Sequence, residues 1–498
     1  MKKCQTPFGW IDLSTPQLER SLAALVLSRT KAGRKAARAR TQIVNADLLR
    51  RALQWVIDED LFRAVRFHGN TTWAAVQLVA LAVLWVWSDR TTLTGAFVQA
   101  HQLSLTLFGS AAVTTYQGLT KALVTWTGRL LPVVWERLHR RMEECGQTVW
   151  RLGRWLPLAV DGSRVSTPRT ASTEAAYAAP NFGRGKTAKS RRRWANKRRR
   201  MKKLSQPVRP QIWLTLLWHM GLKMPWAWRT GPSTASEREH FAQLLGGLKF
   251  PENTLFCGDA GFVGYELWAA ILGAGHHFLI RVGANVRLLR GLGRMRCGRD
   301  IVHLWPNDAA GRGQPPLVLR LMAFQGPRGT VYVVTSVLSE EALSAAQARR
   351  LYRLRWGIEL QFRAFKQTFG RGTLRSRSAG CAAVELEWSL VGLWMIQLFA
   401  VKEQIAVEIA PGRSSVALAV GVIRDLMRDR TEPASRRAFH DRMTRAVQDA
   451  YRRRGSKRAR YRSGLKEPPN ARRPTITTAS RRQPDAFRKL ENVVAKNR

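Results

Sequence analysis

Residues 351–369 read LYRLRWGIELQFRAFKQTF. Taken as a helix at about 100° per residue, Tyr352, Arg355, Glu359 and Lys366 fall inside a stripe roughly 60° wide. Leu351, Leu354, Ile358, Phe362, Phe365 and Phe369 gather on the neighbouring face, the pattern of a helix docked on a core. The spacing predicts one amphipathic helix from Leu351 to Phe369 whose polar quartet flanks a buried seam. Taken alone, a Glu between Arg and Lys at helical spacing is most often a solvated ion-pair stripe. The text upstream has to decide.

There, LPLAVDGSRVS (156–166) reads as a buried strand ending in Asp161. Ile212 to Trp218 and Leu222 to Trp228 follow as two β-compatible runs turning at Gly221, a hairpin. Glu237 to Leu248 is helix-like, Thr254 to Gly258 a short strand delivering Asp259, Tyr265 to Ala274 a helix, and His277 to Val282 a further strand. This alternation makes a mixed α/β sheet. From Gly283 to Ser339 a stretch rich in Gly, Arg and β-formers reads as a small β subdomain inserted before the Glu359 helix, its last run a candidate to return to the main sheet. The long helix-compatible text before Trp155 predicts an all-helical N-terminal domain over residues 1–150. The α/β domain then spans 151–425 with its insertion at about 283–339, and 426–498 forms a basic, partly disordered tail.

The order Tyr352, Arg355, Glu359, Lys366 resembles the YREK signature of the insertion-sequence-four family of DDE transposases. Asp161 in AVDGSRV and Asp259 in CGDAGFVG stand where that family has its other two acids. Alone, an Asp before Gly at a strand end is usually a turn former; the ordered set of three points elsewhere. The resemblance implies a ribonuclease-H-like catalytic core over about Trp155 to Val401. It also implies an acidic triad of Asp161, Asp259 and Glu359 acting in cleavage at element ends and strand transfer into target DNA. Two Mg2+ ions, with Mn2+ as a substitute, suit three oxygen ligands without His or Cys. By position, Tyr352, Arg355 and Lys366 are expected to touch DNA backbone, and Trp305, in the β insertion, is the candidate to receive a flipped base. Glu387 and Trp388 also echo the family and read as packing.

Composition agrees with a polyanionic partner. Of the 498 residues, 83 are Lys or Arg against 34 Asp or Glu, a formal charge of +49. Binding to double-stranded DNA should weaken with salt by about −0.9 in log–log slope per phosphate neutralised. The basic segment 183–203, with Trp194, and the basic lead-in from Arg29 to Arg40 are further candidates for DNA contact, or plain solvated loops. Cys4, Cys145, Cys257, Cys297 and Cys381 form no disulfide or zinc pattern, and the adjacent His276 and His277 point to opposite faces of a strand. Trp73 to Trp87 and Val391 to Val401 are apolar but too short for a membrane span, so they read as buried helices. A bacterial cytoplasmic, nucleoid-associated protein without a membrane role is expected, working as a homodimer on paired DNA ends. Two other readings remain open in the sequence: a nuclease of the same fold without strand transfer, and a non-enzymatic basic DNA-binding protein.

Overall fold

Leu156, Leu158, Ala159, Val160 and Val165 of LPLAVDGSRVS are buried, which covers this strand on both faces, and the sheet is built outward from it. The structure, a computed structural model, describes residues 3–6, 9–12, 47–178 apart from 70 and 72, 210–292, 300–428 apart from 327 and 328, 436–448 and 473–496. The basic segment 183–203 and the lead-in Arg29 to Arg40 lie outside the described residues. Strand β1 is Leu156–Ser166, β2 Gln211–His219, β3 Met224–Gly231, β4 Thr254–Gly258 and β5 His277–Val282. They lie in the order β5-β4-β1-β2-β3. β1, β2 and β3 form an antiparallel meander, whereas β4 and β5 run parallel to β1. This is the ribonuclease-H-like arrangement implied by the resemblance.

The β insertion is built onto the main sheet, and its last run rejoins that sheet as the sequence allowed. β6 (Arg287–Arg290), β7 (Ile301–Leu304), β8 (Leu317–Gly326) and β9 (Gly329–Thr335) extend the same sheet, and β9 returns to pair antiparallel with β5. A tenth strand, β10 (Thr475–Thr478), pairs in parallel with β6 at the far edge. Part of the stretch read as tail is therefore sheet: a strand that pairs with residues almost 190 positions earlier carries no local signal of its partner.

In the N-terminal region a helical stretch at 47–56 is followed by the helices α1 (Ala75–Trp87), α2 (Leu93–Phe108) and α3 (Tyr116–Trp150). Lys3–Thr6 and Gly9–Asp12 form a small hairpin, a departure from an all-helical region. Between β3 and β4 lies α4 (Glu237–Gly247), and between β4 and β5 lies α5 (Tyr265–Gly273). Then come α6 (Ala345–Leu354), α7 (Gly357–Arg363), α8 (Ala379–Ile405), α9 (Val416–Arg428), α10 (Arg436–Thr444) and α11 (Arg482–Lys496).

Ladder partners show which face each helix covers. Thr215 is the partner of Gly162 and bonds His240 of α4 at 3.1 Å, so α4 lies on Gly162's face of the sheet. On that face Phe241, Phe256, Phe278 and Trp268 are fully buried; from helix to strand, Phe241 meets Phe256 edge-on at a ring separation of 5.0 Å and Trp268 stacks on Phe278 at 4.9 Å. Truncating one such Phe to Ala would cost about 3–5 kcal/mol. Trp228, across the ladder from Leu216 and hence on Asp161's face, meets Trp394 of α8. α8 is long and apolar enough to cross a membrane, yet 94% of its apolar window is buried by the protein. It is the central core helix, and α1, buried along nearly its whole length, donates the Trp87 indole N–H to the Gly392 carbonyl in it.

Candidate active site

The parallel ladder between β1 and β4 runs from Leu156↔Thr254 to Ala159↔Cys257 and then stops, while β1 continues beside β2 to Ser166↔Gln211. Asp161 is thus mid-strand rather than at the strand end that the sequence suggested. β1 has β4 on one side and β2 on the other, so a crevice opens beyond the carboxyl end of β4, the usual place for a ligand in such sheets. Asp161 faces it, and Asp259 follows immediately on the last residue of β4. Asp161 accepts a bond from the Gly162 N–H at 2.8 Å. Asp259 caps the turn Ala260–Phe262, its Oδ1 accepting from Gly261 N–H at 2.7 Å. The turn-forming role and a place in the crevice coexist, since the turn engages one carboxylate oxygen.

The third acid arrives from the helical segment, which is not the single helix predicted. α6 ends at Leu354, α7 begins at Gly357, and Ala364–Thr368 is a wider π turn. The bonds at the junction are tight, with Ile358 N–H to Arg355 O and Glu359 N–H to Trp356 O at 3.1 Å. Further on, Phe369 N–H reaches back five residues to Ala364 O at 2.8 Å. Overwinding first and underwinding later are opposite in sense, so the polar residues still address the sheet. The close approach needs Gly357: a Cβ there would lie 2.1 Å from Cη2 of Trp218, which sits on Asp161's face beside Ala159.

Arg355 joins the acids. Its guanidinium is 3.9 Å from Asp161 and 3.6 Å from Glu359, and 5.7 Å from the ring of Tyr352. The residue is only 9% exposed and its Nε has no hydrogen-bond partner. Lys366 donates from Nζ to Ser163 Oγ at 2.6 Å, and Ser163 shares a strand face with Asp161. Burial pushes the Asp161 carboxyl up to about 6; Gly162 and Arg355 oppose the shift, and the charges of Asp259 and Glu359 add to it. Burial likewise raises Glu359, partly offset by Arg355 and reinforced by Asp259. Burial lowers Lys366 and raises Tyr352.

A family model described as the transposase DDE domain matches residues 156–395. Those residues are a transposase DDE domain. Over 170 residues the chain is 30% identical to the transposase InsG for insertion sequence element IS4 of Escherichia coli (strain K12), covering 32% of this chain and 37% of that relative. The alignment thus spans little more than a third of the relative's length. A cryo-EM structure of the piggyBac transposase synaptic complex with hairpin DNA overlaps 85% of this chain and 88% of that one at 11% identity. Its TM-score of 0.38 is too low to carry an argument.

Within the DDE domain the acids are near enough to feel one another's charge. Among the described residues, however, no group of three stands close enough to hold one ion. Like charges repel, and the Arg355 guanidinium lies between Asp161 and Glu359. The donor set still fits a hard divalent cation: all oxygen, on three separate elements, with negative charge left over.

Sequence reasoning missed Glu237, the first residue of α4. Its carboxyl is pushed up to about 7 by burial and by the charges of Asp161 and Asp259, with Arg164 opposing. Hidden as an ordinary first-turn acid of a capped helix, it gave no signal of its own. Missed too was Trp356, 57% exposed beside Arg355. Trp305 is a correction. It is 7% exposed, donates its indole N–H to Gln314 O at 2.8 Å and packs edge-on against Phe487 of α11. A ring buried in the core of the insertion cannot receive a base. Trp388 is fully buried, its N–H given to Thr127, as the packing role expected of it requires.

Proposed function

We propose that the chain is a DNA transposase that cuts at element ends and joins them to target DNA by phosphoryl transfer, with Asp161, Asp259 and Glu359 as the metal-holding acids. The observation that carries this is the common crevice at the end of β4: two aspartates side by side, and a glutamate tied to one of them through Arg355. The DDE domain match over the same residues supports it. Two divalent ions, Mg2+ or Mn2+, would activate the attacking oxygen and stabilise the leaving 3′ oxygen. The protein's own part is positioning. Arg355 can turn from the acids to grip a phosphate with its fork, Lys366 offers a point charge from beside Ser163, and Tyr352 a hydroxyl. The exposed indole of Trp356 offers a stacking face to an unpaired base. Two copies, each cutting one end, would meet the need to pair both ends before joining, and a cytoplasmic, nucleoid-associated location follows from the substrate.

The test is to incubate the full-length chain with Mg2+ and linear DNA carrying its element's pre-cleaved ends, plus a supercoiled target plasmid. Joined product is expected. Cleavage without joining would support a nuclease on the same fold, and DNA binding unaffected by Glu359→Gln, with no cleavage by wild type, would leave a non-enzymatic DNA binder.

A further inference from the structure

The stretch that follows Lys366 is held on several sides. The helical segment ends at Gly370 in the left-handed conformation (φ 79°), and the chain doubles back: Arg371 N–H reaches Phe365 O and Gly372 N–H reaches Lys366 O, both at 3.1 Å. Ser166 of β1 then gives its N–H to Gly372 O at 3.2 Å and accepts one from Leu374 at 2.8 Å. β1 is therefore gripped twice by one piece of chain, at Ser163 by the Lys366 ammonium and at Ser166 by this backbone pair. Two arginines tie the same stretch to the helical region. Arg371 donates to Val86 O of α1 at 3.0 Å, and Arg375 to Arg90 O, between α1 and α2, at 2.7 Å.

All of these ties meet at one carboxylate. Glu385, in the second turn of α8, is fully buried and accepts from Arg375 N–H at 3.0 Å, Ser376 N–H at 2.8 Å and the Arg371 guanidinium at 3.4 Å. Arg371 is itself only 3% exposed. A buried ion pair is a poor source of stability, because desolvation cancels most of the attraction, and apolar residues of similar volume often serve as well. What it does supply is direction, since a carboxylate with both oxygens engaged accepts one placement of its donors. We propose that Glu385 is a positioning residue: through Arg371 and the N–H groups of Arg375 and Ser376 it fixes the stretch after Lys366 on β1, and so sets where the Lys366 ammonium meets DNA. This rests on the transposase reading above, in which Lys366 offers its charge to a phosphate. The competing view is a buried pair that only steadies the core.

The experiment uses full-length chains on a duplex carrying the ends of the element: wild type, Lys366→Ala, Glu385→Gln, Arg371→Lys, and each of the last two combined with Lys366→Ala. Thermal unfolding, the salt dependence of binding and the cleavage rate at saturating DNA with Mg2+ are read for each. Lys366→Ala should reduce the magnitude of the salt slope by roughly 1 and slow cleavage. Glu385→Gln should lower both in the same direction, the rate by up to about a hundredfold. Added to Lys366→Ala, it should slow cleavage by less than about twofold further, because the ammonium it positions is already gone. Arg371→Lys, which keeps the charge but loses the fork, should follow the same pattern and decides the matter if Glu385→Gln does not fold. A wild-type slope in the folded single variants, or rate losses that multiply with that of Lys366→Ala, overturns the assignment whatever the melting midpoint. Failure of both single variants to fold makes the pair structural and overturns it too. If wild type binds the duplex without cleaving it, the transposase reading falls while the slopes still decide the role of Glu385; a wild type that binds no DNA overturns both.

Discussion

Asp161 and Asp259 stand abreast: each lies two residues beyond the last pair, Ala159 and Cys257, of the parallel ladder between β1 and β4. With side chains alternating at every residue, two steps along each strand return both to the same face. The pairing register, not proximity in sequence, brings the two carboxylates to one crevice. Substituting either with Asn should abolish cleavage while leaving the fold and DNA binding intact. A loss on the order of 10³-fold in rate, about 4 kcal/mol of barrier, is expected in a plasmid cleavage assay. Turnover within tenfold of wild type in Asp161→Asn would remove it from the chemistry.

Arg355 stands between two carboxylates. Without the guanidinium, Asp161 and Glu359 lose their shared counter-charge, and on the proposed function DNA would lose a contact as well. Arg355→Ala should lower affinity for element ends and reduce the magnitude of the salt slope by roughly 1. Filter binding across a salt series reads this directly, and an unchanged slope would strike Arg355 from the phosphate contacts.

Acidity gives a third test. The Asp161 carboxyl sits at about 6 against an ordinary 3.8, so the folded chain holds this proton more tightly than the unfolded chain does. Folding takes up a proton between those values, and the metal-free chain must gain stability as pH falls from about 6 toward 4. For Asp161 the contribution is on the order of 1–3 kcal/mol. Glu237, raised from 4.5 to about 7, acts in the same direction over the range between. Saturating Mn2+ should reverse the trend, because the ion binds deprotonated acids. Melting curves with chelator and with Mn2+ at several pH values compare the two; Asp161→Asn should flatten the metal-free trend, and a trend unaffected by that change contradicts the assignment.

Packing of α7 on the sheet depends on the absence of one methyl group. Gly357→Ala places that group against the Trp218 ring and should cost about 1–3 kcal/mol, with activity lost as Glu359 shifts. Pairing it with Trp218→Leu, which clears the space, should recover part of both. Failure of the double variant to recover any activity would mean that the backbone at 357 matters for some other reason.

Much of the catalytic half is legible in the residues. Thr254–Gly258 and His277–Val282 have β-rich text bounded by turn residues, and both strands have the limits read from sequence. The helix beginning at Glu237 was equally plain, because Ser236 caps it. What stayed hidden depended on distant partners. β1 runs on past Asp161 because β2 pairs with it further than β4 does. The break at Arg355 follows from Gly357 meeting Trp218, a contact between residues far apart in the chain. Trp305 looked available because sequence cannot tell that Gln314 accepts its N–H. Glu237 looked ordinary because the acids whose charges raise it, Asp161 and Asp259, lie on other elements of the chain.

The strand at residues 475–478 also bears on how the molecule is made. Among the described residues β6 takes its outer neighbour from that late segment, so a nascent chain carries an open β edge until residues 475–478 have left the ribosome. Unpaired edges recruit other strands. A copy of the gene interrupted before Thr475 would therefore leave a sticky rim on a sheet that still contains its acids, and such a product is more prone to clump than to cut.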